Sequence, residues 1–432
     1  MAADAPADLS APMEPLLRLE EARDRMLSGV EPLPAETVAL RAALGRVLAE
    51  PLVALVTMPP WDNSAMDGFA VRAEDVAAAS GAQPVRLRVV GEVAAGHVPR
   101  ETLEPGTAIR ILTGGMIPRG ADAIVPVEDT DAPRGVSERP SEVRVFGAAV
   151  AGTHVRRAGS DVTAGEPILD TGRILGPAQL ALAAATGHAR FSVHRRPRVA
   201  VLATGDELVA PGEPLAGAHI HDSNSVSIAA QALSAGAEVI DLGIALDVEK
   251  AVRNKLVEGV ERADIIVASG GVSVGAHDVV KDAFEAIGTL DLWRVAVQPG
   301  KPVAFGRAPR RDGSGDVLFF GLPGNPVSSF VTFELFVRPV LRRLAGHTGS
   351  IGRPTVRAML TADVSKAPGR RAFLRVQLEE DPARPGSWLA TLAGGQGSHV
   401  LSALADADGL AIIPEEVDSL PAGSVVDVLR LD

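Results

Sequence analysis

The residues best suited to chemistry in this chain are four acids, Asp206, Glu207, Asp247 and Asp278, and one lysine, Lys301, which stands between Gly300 and Pro302. Carboxylates gathered at one place suit a hard cation such as Mg²⁺, which takes one or two of them and completes its shell with water or phosphate oxygens. A single loop acid is as well served by solvent or by a helix cap. It is the recurrence of four that points to a cation. Only five of the 42 basic residues are lysines. A lysine on a loop stiffened by two prolines is a natural phosphate contact, though a surface lysine has the same spelling.

Between these charged groups runs a glycine-rich stretch, Ser269 to Asp278, containing Gly270, Gly271 and Gly275. An apolar run, Ile265 to Ala268, precedes it, and the spacing of Val280, Phe284 and Ile287 predicts a helix after it. Strand, glycine loop and helix can hold an anion on backbone N–H groups. The order GGxxxG is neither the P-loop nor the dinucleotide fingerprint. An oxyanion cradle and a tight turn without a ligand both remain open. The loop Gly321-Leu-Pro-Gly-Asn-Pro326 precedes another predicted helix, which Asn325 or Ser328 could cap. His219 and His221 have no further nearby ligands and make a poor metal pair. No GxSxG elbow frames a nucleophilic serine.

The elements that must position these residues alternate. Strands are expected at 198–203, 238–243, 264–268 and 317–320, and helices at 225–235, 248–261, 279–287 and 327–344. Such alternation predicts a doubly wound parallel sheet, with ligands beyond the carboxyl ends of its strands. Two more short strands are expected to be joined by Pro299-Gly-Lys-Pro302. The expectation is a multidomain α/β chain. Residues 196–346 form its central domain, 14–60 with 147–195 an elongated helical and linker domain, 61–146 an inserted small β domain, and 352–432 a C-terminal β domain. Within the first of these flanking regions, helices are expected at Leu16–Met26, Thr37–Leu48 and around Ala178–Ala185.

A net charge of −12 argues against nucleic-acid and anionic-membrane partners, because both need a basic face. The chain has no cysteine, which excludes disulfides, thiolate metal sites and a cysteine nucleophile. No apolar run reaches the roughly 18 residues of a membrane span. The opening MAADAPADLSAPMEP lacks a basic and an apolar signal region and reads as a disordered Ala/Pro tail, so the expected location is the cytoplasm.

A set of motifs in fixed order resembles the molybdopterin molybdenumtransferase family, the bacterial MoeA proteins and the gephyrin E domain. They are PPWDNSAMDGFAV (59–71), RILTGG (110–115), RRAGSD (156–161), ATGDEL (203–208), HDSN (221–224), SGGVSVGAHD (269–278), PGKPVAFG (299–306), GLPGNPVS (321–328), APGRRAF (367–373) and GGQGSH (394–399). The resemblance implies an enzyme that accepts adenylylated molybdopterin, inserts molybdenum from molybdate and releases AMP, with Mg²⁺ as cofactor. It implies a homodimer whose cleft uses both subunits, supplied by the molybdopterin adenylyltransferase. Carried over by motif, Asp67, Asp161, Glu207, Asp247 and Lys301 would be catalytic. Thr113, Gly270, Gly271, Ser273, Gly275, Pro323, Gly324, Pro326, Arg370 and Ser398 would hold the pterin substrate, and Asp206, Glu207, Asp247 and Asp278 the metal. Gln298 stands where many members have Lys, and Phe69 and Val279 where many have Tyr. A scaffold protein of the gephyrin type and a generic nucleotide-binding enzyme are the competing readings.

Overall fold

A computed structural model of the chain describes residues 16–132, 139–270 and 279–431. The expected N-terminal tail, together with Gly271, Ser273, Gly275 and Asp278, lies outside the described residues.

At the centre is a six-stranded sheet in the order Glu238–Ala245, Arg198–Thr204, Ile265–Ser269, Asp316–Leu322, Pro302–Pro309 and Thr289–Arg294. The first four strands are parallel, and each lies within the span expected for it or extends it by a residue or two. Successive side chains go to opposite faces, as a strand requires. Val199, Val201, Ile265 and Val267 meet helices Asn224–Ser234 and Pro326–Thr332. Ala200, Leu202, Ile266 and Ala268 meet helices Glu249–Arg262 and Val279–Glu285. Helices on both faces explain why these strands read as unbroken apolar runs.

The sheet is mixed rather than parallel throughout. Pro302–Pro309 runs antiparallel to Asp316–Leu322, and Thr289–Arg294 antiparallel to Pro302–Pro309. Parallel neighbours need a crossover of a dozen or more residues, and the links 295–301 and 310–315 are too short for one. A hairpin arrangement results, which turns Lys301 toward the carboxyl end of the parallel strands, since Ala304 faces Gly321.

A second correction falls at Thr37–Leu48. The helix expected there is replaced by a strand, Ala35–Ala39, and a 3₁₀ turn, Leu40–Ala43. The strand pairs antiparallel with Arg190–His194, a partner invisible to local periodicity, and burial of Phe191 and Val193 beside it decides the outcome. Leu19–Leu27 and Pro177–Ala185 are helices as expected.

On the N-terminal side a five-stranded sheet runs Ala123–Pro126, Gly68–Val71, Thr107–Ile111, Val85–Val93, Glu142–Val145 around its own apolar core. On the C-terminal side, Arg371–Glu380 pairs with both Trp388–Leu392 and Gly409–Ile413. Thr355–Leu360 and Val425–Arg430 complete the circuit, so the five strands close into a barrel without free edges. Val297–Gln298 pairs in parallel with Arg371–Ala372 and attaches this barrel to the central sheet.

Beneath the central sheet, Asp264 is 5% exposed and accepts two hydrogen bonds from Arg195, at 2.7 Å each, one from Arg310 at 2.8 Å and one from the Arg198 N–H at 2.9 Å. Burial pushes its carboxyl up, but Arg195, the Arg198 N–H and the charge of Arg310 outweigh this and hold it below the usual range. Removing one partner of such a pair strands the others. Asp264→Asn is expected to destabilise the central domain by about 3 kcal/mol, read by urea unfolding. A depressed acid stabilises at any pH above its unfolded value and loses this as pH falls through its folded value. The gap from wild type should therefore persist at neutral pH and close only below about pH 4.

Candidate active site

The carboxyl ends of the four parallel strands form one rim. Arg198–Thr204 delivers Gly205, Asp206 and Glu207, and Glu238–Ala245 delivers Asp247. Ile265–Ser269 delivers Gly270, and Asp316–Leu322 delivers Pro323 and Gly324. Pro323 is buried, Gly324 is exposed and Pro326 opens the following helix. Lys301 enters the same rim at the start of its antiparallel strand.

Glycine is required at two of these positions. Gly270 has φ +93°, and a Cβ there would lie 2.5 Å from the Thr204 carbonyl oxygen. Gly205 has φ +149°, and a Cβ would lie 2.6 Å from Oε2 of Glu207, whose carboxylate folds back over it. At Gly270 this permits a backbone approach that a side chain would block, and at Gly205 it leaves room for the Glu207 carboxylate at a φ that favours glycine.

Asn224 locks the middle of the rim. Its Nδ2 donates to Ser269 Oγ and to the Gly324 carbonyl, both at 2.7 Å. Gly270 N donates to the Leu322 carbonyl at 3.3 Å. The Asn325 side chain makes no capping hydrogen bond, so the cap that its type suggests is not formed there. From the C-terminal barrel, the Ser398 carbonyl accepts the Val327 N–H at 3.1 Å. Arg375, 1% exposed, donates to the carbonyls of Gly395 and Gly397 at 2.9 and 3.1 Å, and Gln396 bonds back to its main chain. These bonds fix the loop that carries Ser398.

The rim is polarised. Asp206, Glu207 and Asp247 are exposed at one end, where Asp206 Oδ1 accepts the Asp247 N–H at 3.0 Å. Burial, then the charges of Asp206 and Glu207, raise the Asp247 carboxyl above the ordinary range. At the other end, Lys301 is depressed by partial burial and by the charges of Arg294 and Arg370. Arg370 reaches this place because Arg371 pairs with Val297. Three inter-strand steps, about 14 Å, separate the strand bearing Asp206 from the strand bearing Lys301.

Asp67, Thr113 and Asp161 are held elsewhere. Asp67 Oδ1 accepts from the Thr113 N–H and Oγ1, each at 2.7 Å, and these bonds, with the charge of Arg110, keep its carboxyl low and ionised. Asp62 accepts from Arg157 at 2.6 Å and from the Ala158 N–H at 2.8 Å, tying the PPWDNS segment to RRAGSD, in which Asp161 is exposed. All these contacts stay within the N-terminal segments. Among the described residues no three His, Asp or Glu side chains close into a metal-binding group. The donors at Asp206, Glu207 and Asp247 are nonetheless all oxygens, near enough for Asp247 to feel the other two charges, which suits a cation that keeps much of its water shell.

Asn224, Arg294, Arg375, Gln396 and Asp62 were not among the expected site residues. Asn224 closes the HDSN motif and could have been found there, whereas Arg375 reads as an ordinary strand residue.

Residues 17–187 match the MoeA N-terminal region (domain I and II), residues 200–343 a probable molybdopterin binding domain, and residues 357–431 the MoeA C-terminal region (domain IV). The chain belongs to the molybdopterin molybdenumtransferase family. It is thereby an enzyme, a transferase. It is 43% identical over 401 residues to "Molybdopterin molybdenumtransferase 2" of Mycobacterium tuberculosis, covering 91% of this chain and 95% of the relative. The Haemophilus influenzae molybdopterin molybdenumtransferase is 35% identical over 421 residues, covering 96% of this chain and 98% of that one. A crystal structure of a molybdopterin biosynthesis MoeA protein from Pyrococcus horikoshii has a TM-score of 0.79 at 30% identity, over 96% of this chain and 100% of that one.

Each hydrogen bond of Asn224 is worth about 1 kcal/mol. Asn224→Ala should leave the strands intact and speed amide exchange in residues 264–270 and 321–327, measured by mass spectrometry. Unchanged exchange in both segments would remove Asn224 as the lock.

Proposed function

We propose that this transferase inserts molybdenum into adenylylated molybdopterin, taking molybdate as the metal source and releasing AMP. The observation that carries this reading is the polarised rim: a cationic end at Lys301 and Arg370, a glycine-lined middle at Gly270 and Gly324, and a carboxylate end at Asp206, Glu207 and Asp247. A pyrophosphate-bridged ligand is matched by such a row. Lys301 and Arg370 neutralise and orient the anionic groups, Gly270 and Gly324 admit them close to the backbone, and Pro323, Pro326 and Ser398 shape the wall. Gly271, Ser273 and Gly275 extend the glycine stretch in this reading.

Asp206, Glu207 and Asp247, with Asp278, would hold Mg²⁺. When bound, Mg²⁺ supplies the positive charge that lets a pyrophosphate lie beside carboxylates, which at about 4 Å would otherwise repel by roughly 4 kcal/mol at an effective dielectric of 20. Ligand exchange at molybdenum needs positioning and fixed charge rather than a protein nucleophile, and the rim offers both. Asp67, Thr113 and Asp161 are tied to their own segments, so we assign them to the rim of a second copy in a cytoplasmic homodimer, with the adenylylated pterin handed over by the adenylyltransferase. No helix among the described residues is long and apolar enough to cross a membrane.

The test is incubation with adenylyl-molybdopterin, molybdate and Mg²⁺, following AMP release and active cofactor. Lys301→Gln should weaken substrate affinity by about tenfold or more, the worth of one charge-assisted contact. Asp67→Asn should abolish insertion while leaving the melting temperature nearly unchanged, as befits an exposed loop acid. Wild-type rates in both variants would refute the assignment.

A further prediction concerns pH. Protons compete with metal at a carboxylate, and Asp247 holds its proton to a higher pH than an ordinary aspartate. The Mg²⁺ requirement should therefore rise on acidification at a pH above the usual aspartate range. Asp247→Asn should raise the requirement at every pH and remove this dependence.

A further inference from the structure

Away from the rim, the C-terminal end of helix Arg338–Leu344 meets the N-terminal segments across a groove. Two cavities lie there, of about 560 and 250 Å³, and share Arg342, His347 and Ile174. The smaller one is lined by Arg46, Arg195, Arg196, His194, Arg342 and His347, with no carboxylate among its described lining residues. The larger adds Arg173 and a single acid, the exposed Asp170.

The positive charge here exceeds its partners. Arg46 is paired with Glu36, and Arg195 with Asp264. Arg338 and Arg353 both lean on one buried carboxylate, Glu334, at 3.7 and 2.8 Å. Among the described residues Arg342 pairs with no carboxylate, and its Nε has no hydrogen-bond partner. Its Nη2 meets His347 Nδ1 at 3.4 Å. Arg196, half-buried and lining the same cavity, forms no ion pair among the described residues. Buried guanidinium groups normally have anionic partners, because desolvating one alone is costly. Burial first, and then the charges of Arg342 and Arg338, push His347, 8% exposed, down to about 4, so its imidazole feels both guanidinium groups. The carbonyl ends of helices Asn224–Ser234 and Arg338–Leu344 offset part of this field, about half a charge each. Arg342, Arg196 and the second guanidinium on Glu334 exceed that.

We propose that the smaller cavity binds a tetrahedral oxyanion of the phosphate, sulfate and molybdate class, held between Arg342, Arg196 and His347. The site is separate from the polarised rim and independent of the reaction assigned there. A dianion at this place neutralises Arg342 and Arg196, which form no ion pair among the described residues, and accepts a hydrogen bond from a His347 ring N–H. It also joins the N-terminal segments to the last helix of the central domain.

The test reads His347 by NMR of ¹³C-histidine-labelled protein, with the resonance assigned by His347→Asn. Phosphate, sulfate and molybdate are each titrated against chloride at equal ionic strength. The background is Lys301→Gln with Arg370→Gln, so that anions at the rim do not confuse the reading. A bound dianion should raise the His347 pKa by about one unit or more. Arg342→Gln should abolish the anion-dependent increment, and Arg196→Gln should weaken anion affinity by about tenfold. A response to all three anions bears the proposal out, and a response to molybdate alone overturns it in favour of a site for the metal source. A chloride response of equal size, or an increment that survives in both arginine variants, overturns the proposal.

Discussion

Five residues, Arg294 to Gln298, join the three regions of this chain by main-chain hydrogen bonds. The Leu17 N–H donates to the Arg294 carbonyl, and the Ala296 N–H donates to the Leu17 carbonyl, each at 2.8 Å, which fastens the N-terminal region to the central sheet. Val297 and Gln298 then pair with Arg371 and Ala372, which fastens the C-terminal barrel. Arg371 reinforces the join by ion pairs to Glu20 on one side and Glu415 on the other. Backbone pairing fixes register, and a slip of one residue would turn every alternate side chain to the wrong face. Through that register Arg370 lies beside Lys301, and the loop fixed by Arg375 brings Ser398 onto Val327.

The rim then carries an electrostatic tension of its own. Like charges are gathered at each end, acids at Asp206, Glu207 and Asp247 and cations around Lys301, and both Asp247 and Lys301 are shifted toward their neutral forms. At Asp264, by contrast, a buried charge is fully paired. Sites that gather like charge are where a ligand completes the electrostatics. The Asp264 knot and the rim lie at opposite ends of the same parallel strands, so the sheet is stabilised at one end and left reactive at the other.

The central strands and helices were legible because both faces of the sheet are covered, which writes an unbroken apolar run into the sequence. Where a distant partner overrides a local helical spacing, or a short link dictates direction, sequence periodicity failed. Ala35–Ala39 became a strand because Arg190–His194 lies beside it, and a mixed sheet arose because two links were too short for crossovers. Site residues fared similarly. Asp206, Glu207, Asp247 and Lys301 announce themselves by type and by loop position. Arg375 acts through carbonyls of a loop some twenty positions away and carries no local mark, and Gln396, though inside the GGQGSH motif, gives no sign there that it bonds back to the Arg375 main chain. Asp67 and Thr113 were legible as motif members, but their mutual hydrogen bonds depend on the pairing of Gly68 with Ile111.

One feature of the last central helix sets the geometry of everything after it. Between Pro326–Thr332 and Arg338–Leu344 the chain takes a π-helical turn, Phe333–Val337, all of it buried. Such a turn accommodates one residue more than an α-helix would, and each helical residue advances the chain by about 100°. It works as a phase shift. Upstream, Val327 and Val331 enter the apolar core beside the sheet, and downstream Val340 and Leu341 are buried in the same core, while Glu334 is drawn inward to meet Arg338 and Arg353. Straightening the turn by deleting one of these residues would keep every downstream side chain and misdirect them all. The arginines would turn by a quarter of the helix circumference, and the apolar stripe would leave the core. The length of this segment is thus as tightly constrained as its composition.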